Sequence, residues 1–362
     1  MAVLPIQTIK EMVRIGCISG IDPEYINPGS LDMPASSEAY RLEKTFMPNE
    51  DETVRSLLEW AGASKHDLRF PLEVGVSYLV RLEGSVQLLE SVYAYANPKS
   101  TTGRLNVLVR VIADGVPMYD SLPKGWNGEV WMLVQPRSFP ILLAPGLPLA
   151  QVRFFDGKAF LDEIEMGLAV QEHGIFFNRS GEVLPLGRKR SHPDHLYMSI
   201  RADEGRVGWV CAGSNKPLDL TQRHIYHPKD FSFEPVIARG GEVVLHPGNF
   251  YILTTDEFVR VPPECSAELR AVDERLGEFR VHAAGFIDAG WGCGKDMEKK
   301  GQPITLEITT SEVGRLSLRH GQPIARIRFE RMREKPNLLY EDVASNYLSQ
   351  DTARLSKHFV IE

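Results

Sequence analysis

One string of this chain occurs twice. Residues 140–154 read PILLAPGLPLAQVRF and residues 315–329 read RLSLRHGQPIARIRF, so Gly146, Pro148, Ala150, Arg153 and Phe154 return 175 positions later as Gly321, Pro323, Ala325, Arg328 and Phe329. Upstream pairs keep the same order: Lys99-x-x-x-x-Arg104-Leu105 is echoed by Arg270-x-x-x-x-Arg275-Leu276, and Gly125-Trp126-x-Gly128 by Gly290-Trp291-x-x-Gly294. Gly-Pro-apolar strings recur by chance in β proteins, but several shared features in one order favour duplication. The 362 residues then read as two copies of one module. Two domains of roughly 150 residues, each with its own core, is also what this length suggests.

The runs VGVSYLVRL, LNVLVRVIA, GEVWMLV, EVVLHPG, FYILTTDEFVRV, FRVHAAGFI and ITLEI are short, apolar or alternating, and punctuated by Gly, Pro and Asp, which predicts a mainly β protein. Helical spacing over Ile6–Arg14, 53–61 and 160–170 predicts a few short helices. The polar stretch GRKRSHPDH sets a linker at 158–194, between a first module at 1–157 and a second at 195–362. Its cluster of Arg188, Lys189 and Arg190 could bind an anion, although a solvated linker is the commoner reason for such a run.

With 41 Lys and Arg against 48 Asp and Glu, the net charge of -7 gives no global attraction to nucleic acid or to an anionic membrane. Any phosphate must be held locally. No apolar run approaches the ~18 residues a membrane helix needs. The start, MAVLPIQTIKEMVRIGC, lacks the basic region and continuous apolar stretch of a secretory signal, so a cytoplasmic protein is expected. Cys17, Cys211, Cys265 and Cys293 form no C-x-x-C pair, which argues against a disulfide framework or a cysteine zinc site.

The densest chemistry lies in the second half: LRAVDERLGEFRVHAAGFIDAGWGCG, then ITLEI, then RHGQPIARIRF. Arg270 and Arg275, five apart around a turn, could turn both guanidiniums toward a phosphate; pairing with Asp273 or Glu274 accounts for them equally well. In ITLEI, alternation puts Ile304, Leu306 and Ile308 on one face and Thr305 and Glu307 on the other. Most strand glutamates are solvated. The functional alternative is a carboxylate partly desolvated in a cleft, its pKa raised toward neutrality, acting as a general base. Other templates fail: there is no P-loop, no dinucleotide-binding glycine string and no H-E-x-x-H. The H-x-E plus P-C-x-x-C signature of zinc-dependent nucleobase deaminases is also missing. No G-x-S-x-G elbow supports a serine triad, and His192 with His195 is a pair that loops often carry incidentally.

Taken together, these strings resemble the dCTP deaminase and trimeric dUTPase superfamily, the deaminase branch in particular. His246-Pro247-Gly248 with the segment from Phe250 to Glu257 resembles the family's "hPGxfxLxxTxE" strand pair. The segment from Arg270 to Gly277 resembles its "RSSxxRLG" substrate loop, Ala284 to Trp291 resembles "AGxIDPGW", and Ile304 to Ile308 resembles "ITLEF". Tyr340, Tyr347 and Gln350 resemble the tail that folds over the triphosphate. The match covers about residues 243–350. The first half resembles a diverged copy: Ile26 to Asp32 is similar to the family's N-terminal segment, and Lys99, Ser100 and Arg104 fall in its substrate loop. There, however, Pro123 replaces the Asp of "IDPGW" and Leu133 the Glu of "ITLEF". The second module departs at Ala271, where a loop Ser is usual, at Asn346, where a tail Lys is usual, and in a longer turn at 295–303.

The resemblance implies two tandem dUTPase-like modules of the β-clip, distorted β-barrel kind, the first non-catalytic. Glu307 and Trp291 both point to deamination over dUTP hydrolysis. Glu307 is implied as the general base and Arg275 as the group that fixes the water and the tetrahedral intermediate. Asp288 is implied to bind the deoxyribose 3′-hydroxyl, with Arg270, Ala271, Thr305, Leu306, Tyr340, Tyr347 and Gln350 lining the substrate. Mg²⁺ is expected through the triphosphate, with no zinc. The implied substrate is dCTP, dTTP is a candidate regulator, and family sites form between subunits of a three-fold ring. Two arrangements are open: a homotrimer with separate rings, or a composite site using Lys99, Ser100 and Arg104. A dUTPase or dUMP-releasing enzyme, and a nucleotide-binding regulator with a weak site, are the other functional readings. Deleting the tail after Asn337 is expected to spare the core.

Overall fold

The computed structural model describes residues 2–186, 191–192, 195–270, 279–282, 285–310, 314–343, 347 and 350–361, with 191–192 and 279–282 described in backbone only. Two compact units emerge. Unit 1 comprises Met1–Lys158, Gly213–His227 and His358–Glu362; unit 2 comprises Ala159–Ala212 and Pro228–Lys357.

Unit 1 contains β1 (Leu31–Leu42), β2 (Ser77–Leu82), β3 (Tyr93–Pro98), β4 (Val107–Ala113), β5 (Ser121–Leu122), β6 (Val130–Pro136) and β7 (Pro148–Phe155). They run in the order β4-β6-β2-β1-β7-β3-β5, and these pairings are antiparallel. The first half of β1 pairs with β7 and its second half with β2, across an irregularity between Ala35 and Ala39. Such a bulge bends one strand through both halves of a barrel-like sheet.

Unit 2 contains β8 (His195–Ser199), β9 (Gly205–Cys211), β10 (Phe233–Ala238), β11 (Phe250–Val259), β12 (Cys265–Arg270), β13 (Phe279–His282), β14 (Phe286–Ile287), β15 (Gln302–Thr310) and β16 (Pro323–Arg331). One sheet runs β10-β9-β11-β15-β13 and the other includes β8-β16-β12-β14. An Ile200–Thr255 bridge links them.

The duplication is now visible as topology. The trio β2-β6-β4 of unit 1 matches β11-β15-β13 of unit 2, and β1-β7-β3-β5 matches β8-β16-β12-β14. The repeated Arg153 and Arg328 occupy corresponding registers, opposite Tyr95 on β3 and Glu268 on β12. Ile304, Leu306 and Ile308 of β15 enter one apolar cluster with Leu253, Ile287, Ile324 and Phe329. Each such fully buried side chain contributes roughly 1.5–3 kcal/mol.

Helix α1 (Ile6–Arg14) lies where the spacing predicts, with Ile6, Ile9 and Met12 buried. Residues 53–61 do not form an α-helix: only a 3-10 turn at Arg55–Leu57 appears, preceded by reciprocal bonds in which the Thr53 and Ser56 hydroxyls accept from each other's backbone N–H. A one-turn helix, α2 (Ser100–Gly103), was not anticipated. The helix expected at 160–170 is α3 (Glu163–His173), started by an Asp162–Glu165 capping box and ended at Gly174.

Leu161 N–H donates to the Phe329 carbonyl at 3.0 Å and Phe160 bridges to Glu330, so the stretch expected as a linker is tied into unit 2. The C-terminal residues are part of a core: Phe359 is buried and bridges to Tyr226 within unit 1. Tail deletion after Asn337 therefore removes part of a core.

All four cysteines are free and buried. Burial pushes the Cys265 and Cys293 thiols up to about 12, so neither is a thiolate at neutral pH. Among the described residues no helix is long and apolar enough to cross a membrane.

Candidate active site

Strand β15 carries the carboxylate. Alternation sends Ile304, Leu306 and Ile308 into the core and turns Thr305 and Glu307 to the opposite face. That face is not open to solvent: Glu307 is 4% exposed and Thr305 6%. Glu307 sits mid-sheet, opposite Ile252 of β11 and His282 of β13. Of the two fates open to a strand glutamate, the structure gives it the buried one. A buried carboxylate is costly unless it is hydrogen-bonded or used.

The tail covers this face. The Gln350 side-chain N–H donates to the Pro303 carbonyl at 2.8 Å, and the Thr305 hydroxyl donates to its Oε1 at 3.4 Å. Gln350 thus spans the strand positions just before Glu307. Tyr347 is buried nearby in sequence, at 7% exposure. Leu306, expected beside the substrate, directs its side chain into the core.

Asp288 follows β14 at the head of a tight turn in which the Trp291 N–H donates to its carbonyl at 3.3 Å. Its side chain is half-buried. The next residue brings in the tail: the Tyr340 N–H donates to the Ala289 carbonyl at 2.9 Å. The tail is therefore bonded to the residue after Asp288 through Tyr340 and to Pro303 and Thr305 of β15 through Gln350.

Arg270 ends β12. Its guanidinium pairs with Glu268 at 2.8 Å and lies 5.8 Å from the Phe160 ring centre, with Arg328 over the same ring at 4.5 Å. Glu268 was missed by reading the loop forward to Asp273 and Glu274; strand alternation, which puts residues two apart on one face, is the signal that finds it. Ala271, Asp273, Glu274, Arg275, Asn346 and the basic cluster Arg188, Lys189 and Arg190 lie outside the described residues.

The corresponding places in unit 1 hold different chemistry. Leu133 of β6 lies opposite Leu79 of β2 and Arg110 of β4, the register that Glu307 has in unit 2, and it packs into an apolar cluster with Trp131 and Ile112. Pro123 follows β5 as Asp288 follows β14. The substrate-loop counterpart is folded as α2, with Lys99 paired to Asp32, Arg104 buried and the Thr102 hydroxyl donating to the Leu149 carbonyl at 3.1 Å. Clefts of about 570 and 500 Å³ in unit 1, bordered by Arg41, His66 and Tyr78 and by Asp67 and Pro145, contain none of the expected site residues.

Comparison with known proteins accounts for both units. The family model for the 2'-deoxycytidine 5'-triphosphate deaminase N-terminal domain matches residues 1–158, and that for the C-terminal domain matches 189–359. A crystal structure of 2'-deoxycytidine 5'-triphosphate deaminase from Agrobacterium tumefaciens is similar with a TM-score of 0.82 and 32% identity, over 93% of this chain and 99% of that one. The dCTP deaminase of Haloarcula marismortui is 33% identical over 132 residues, 35% of this chain and 63% of that relative. The "dCTP deaminase, dUMP-forming" of Methanosphaera stadtmanae is 36% identical over 121 residues, 32% of this chain and 55% of that relative. The chain thus spans under two thirds of the length of these two relatives.

Proposed function

Because the chain belongs to the 2'-deoxycytidine 5'-triphosphate deaminase family, with its mainly β, dUTPase-like fold, we propose that it hydrolyses dCTP to dUTP and ammonia, supplying dUTP for thymidylate synthesis. The observation that carries this reading is Glu307, a carboxylate buried mid-sheet on the face its strand turns away from the core. Glu307 takes a proton from water as the hydroxide attacks C4 of the cytosine. The same carboxyl gives that proton to N3, then carries the second proton from the new C4 hydroxyl to the amino group; the C4–N bond breaks, the C4 carbonyl forms and ammonia leaves. One carboxylate performs both transfers, so no zinc-bound water is required.

The other roles follow the family resemblance. Arg275 fixes the water and the tetrahedral intermediate. Asp288 accepts a hydrogen bond from the deoxyribose 3′-hydroxyl. Arg270, Tyr340, Tyr347 and Gln350 hold the triphosphate, which brings its own Mg²⁺ as part of the substrate. A molecule with the same sugar and triphosphate, such as dTTP, is a candidate competitor for this site. Unit 1, with Leu133 and Pro123 at the corresponding places, has no base and no sugar reader and is non-catalytic.

The test is ammonia release from dCTP, CTP, dCMP and dUTP with Mg²⁺, followed by chromatography. Equimolar dUTP and ammonia from dCTP alone support the reading; absence of ammonia from dCTP rejects it. A second reading is favoured by the dUMP-forming relatives: accumulation of dUMP would make the enzyme bifunctional.

The assembly consistent with a site between like modules is a homotrimer in which unit 2 copies form one ring and unit 1 copies another. Ser100→Ala is then expected to leave kcat unchanged. A fall in kcat comparable to that of Arg275→Ala would make the site composite, with Lys99, Ser100 and Arg104 contributed by unit 1.

A further inference from the structure

The longer turn before β15 is not slack chain. Gly290 has φ +84° and a Cβ there would lie 2.8 Å from Leu339 Cβ; Gly292 has φ +73° and its Cβ would meet the Val259 carbonyl oxygen at 2.5 Å. Only glycine admits these approaches. Between Gly292 and Gly301, which are joined by a hydrogen bond of 3.1 Å, the extra residues fold back so that the Lys299 N–H donates to the Cys293 carbonyl at 3.0 Å. Arg260, at the end of β11, holds the loop from below: its guanidinium donates to the His173 carbonyl at 2.5 Å, to the Met297 carbonyl at 3.3 Å and to the Lys299 carbonyl.

A loop fastened in this way presents two donors to one carboxylate. Glu341 accepts from the Lys299 ammonium at 2.8 Å and from the Gly294 N–H at 3.1 Å, and its side chain is 8% exposed. Glu341 directly follows Tyr340, whose own N–H is bound to Ala289, one residue after Asp288. Gly294, Lys299 and Glu341 themselves lie outside the motifs that mark the substrate site.

We propose that the 292–301 loop is a clamp for the base of the tail, and that Lys299 and Glu341 are positioning residues that hold Tyr340 beside Asp288 before nucleotide arrives. The inference rests on the deaminase reading for its kinetic consequence, though not for its structural one. The clamp touches neither the reacting carbon nor Glu307. It lowers the ordering cost of closing the tail on the triphosphate, a cost that otherwise appears as weaker binding. Its loss acts on KM and spares kcat.

The test uses the full chain with Lys299→Met, Glu341→Gln and the double variant. Charge-assisted hydrogen bonds of this burial predict a rise in KM for dCTP of about tenfold in each single variant, with kcat within about twofold. The double variant is expected to match the singles, because both remove one interaction. Amide exchange of residues 339–343 in nucleotide-free protein is expected to quicken about tenfold in each variant. Unchanged KM, additive effects or an equal fall in kcat would overturn the clamp. If the wild-type protein released no ammonia from dCTP, the deaminase reading would fall, and unchanged amide exchange would still reject the clamp by itself.

Discussion

Glu307→Gln is expected to lower ammonia release from dCTP at least ~100-fold, the scale on which a general acid-base group acts. Gln keeps the volume and the hydrogen-bonding reach of Glu but cannot accept a proton from water. The substitution keeps the side chain's shape at a site 4% exposed, and the fold is expected to persist. Nucleotide binding, measured by equilibrium dialysis with dCTP, should persist because the phosphate and sugar contacts proposed above belong to other residues. Near-wild-type ammonia release from this variant would remove Glu307 from the chemistry. The partner variant Leu133→Glu in unit 1 is not expected to create activity, since Pro123 stands where unit 2 has Asp288, the proposed sugar reader.

The largest stability effect is expected in unit 1, at Phe359→Ala. Phe359 is 2% exposed and bridges to Tyr226 in a parallel contact. Around it the Val360 N–H donates to the Tyr226 carbonyl at 2.9 Å, and the His358 imidazole is bonded to the Leu220 carbonyl at 3.2 Å. Removing a buried phenyl ring costs about 3–5 kcal/mol through lost burial and the cavity left behind. Chemical denaturation monitored by more than one probe is the appropriate measurement, because two units need not unfold together. A loss under about 1 kcal/mol would mean that the site collapses or that the C-terminal residues contribute little. The same packing explains why tail deletion is a poor probe of substrate closure. Deletion mixes the removal of Gln350, which lies over β15, with the removal of Phe359 from a core.

How much of this was legible beforehand depended on the range of the interaction. The alternation in ITLEI is local, and it correctly divided Ile304, Leu306 and Ile308 from Thr305 and Glu307. The repeat at Arg153 and Arg328 was equally legible, since both copies keep the same strand register. Burial of Thr305 was not, because a tail residue more than 40 positions away, Gln350, bonds to it and to Pro303. The Glu268 partner of Arg270 was overlooked for a related reason. Charges adjacent along the chain drew attention, whereas strand geometry supplies Glu268 two residues earlier. The Lys299–Glu341 pair, 42 residues apart, had no sequence signal beyond the added length of the turn. The exchange of segments 213–227 and 358–362 into unit 1 had none, since nothing in a local pattern reports which core a strand end joins.

The central claim is that water, activated by Glu307, attacks the base and leaves the phosphates alone. Carrying out the reaction on dCTP in water enriched in oxygen-18, and reading the products by mass spectrometry, tests it directly. The account predicts one labelled oxygen in the uracil ring of dUTP, none in any phosphate, and one ammonia per label. Label found in a phosphate or in pyrophosphate, with the cytosine amino group retained, would contradict it.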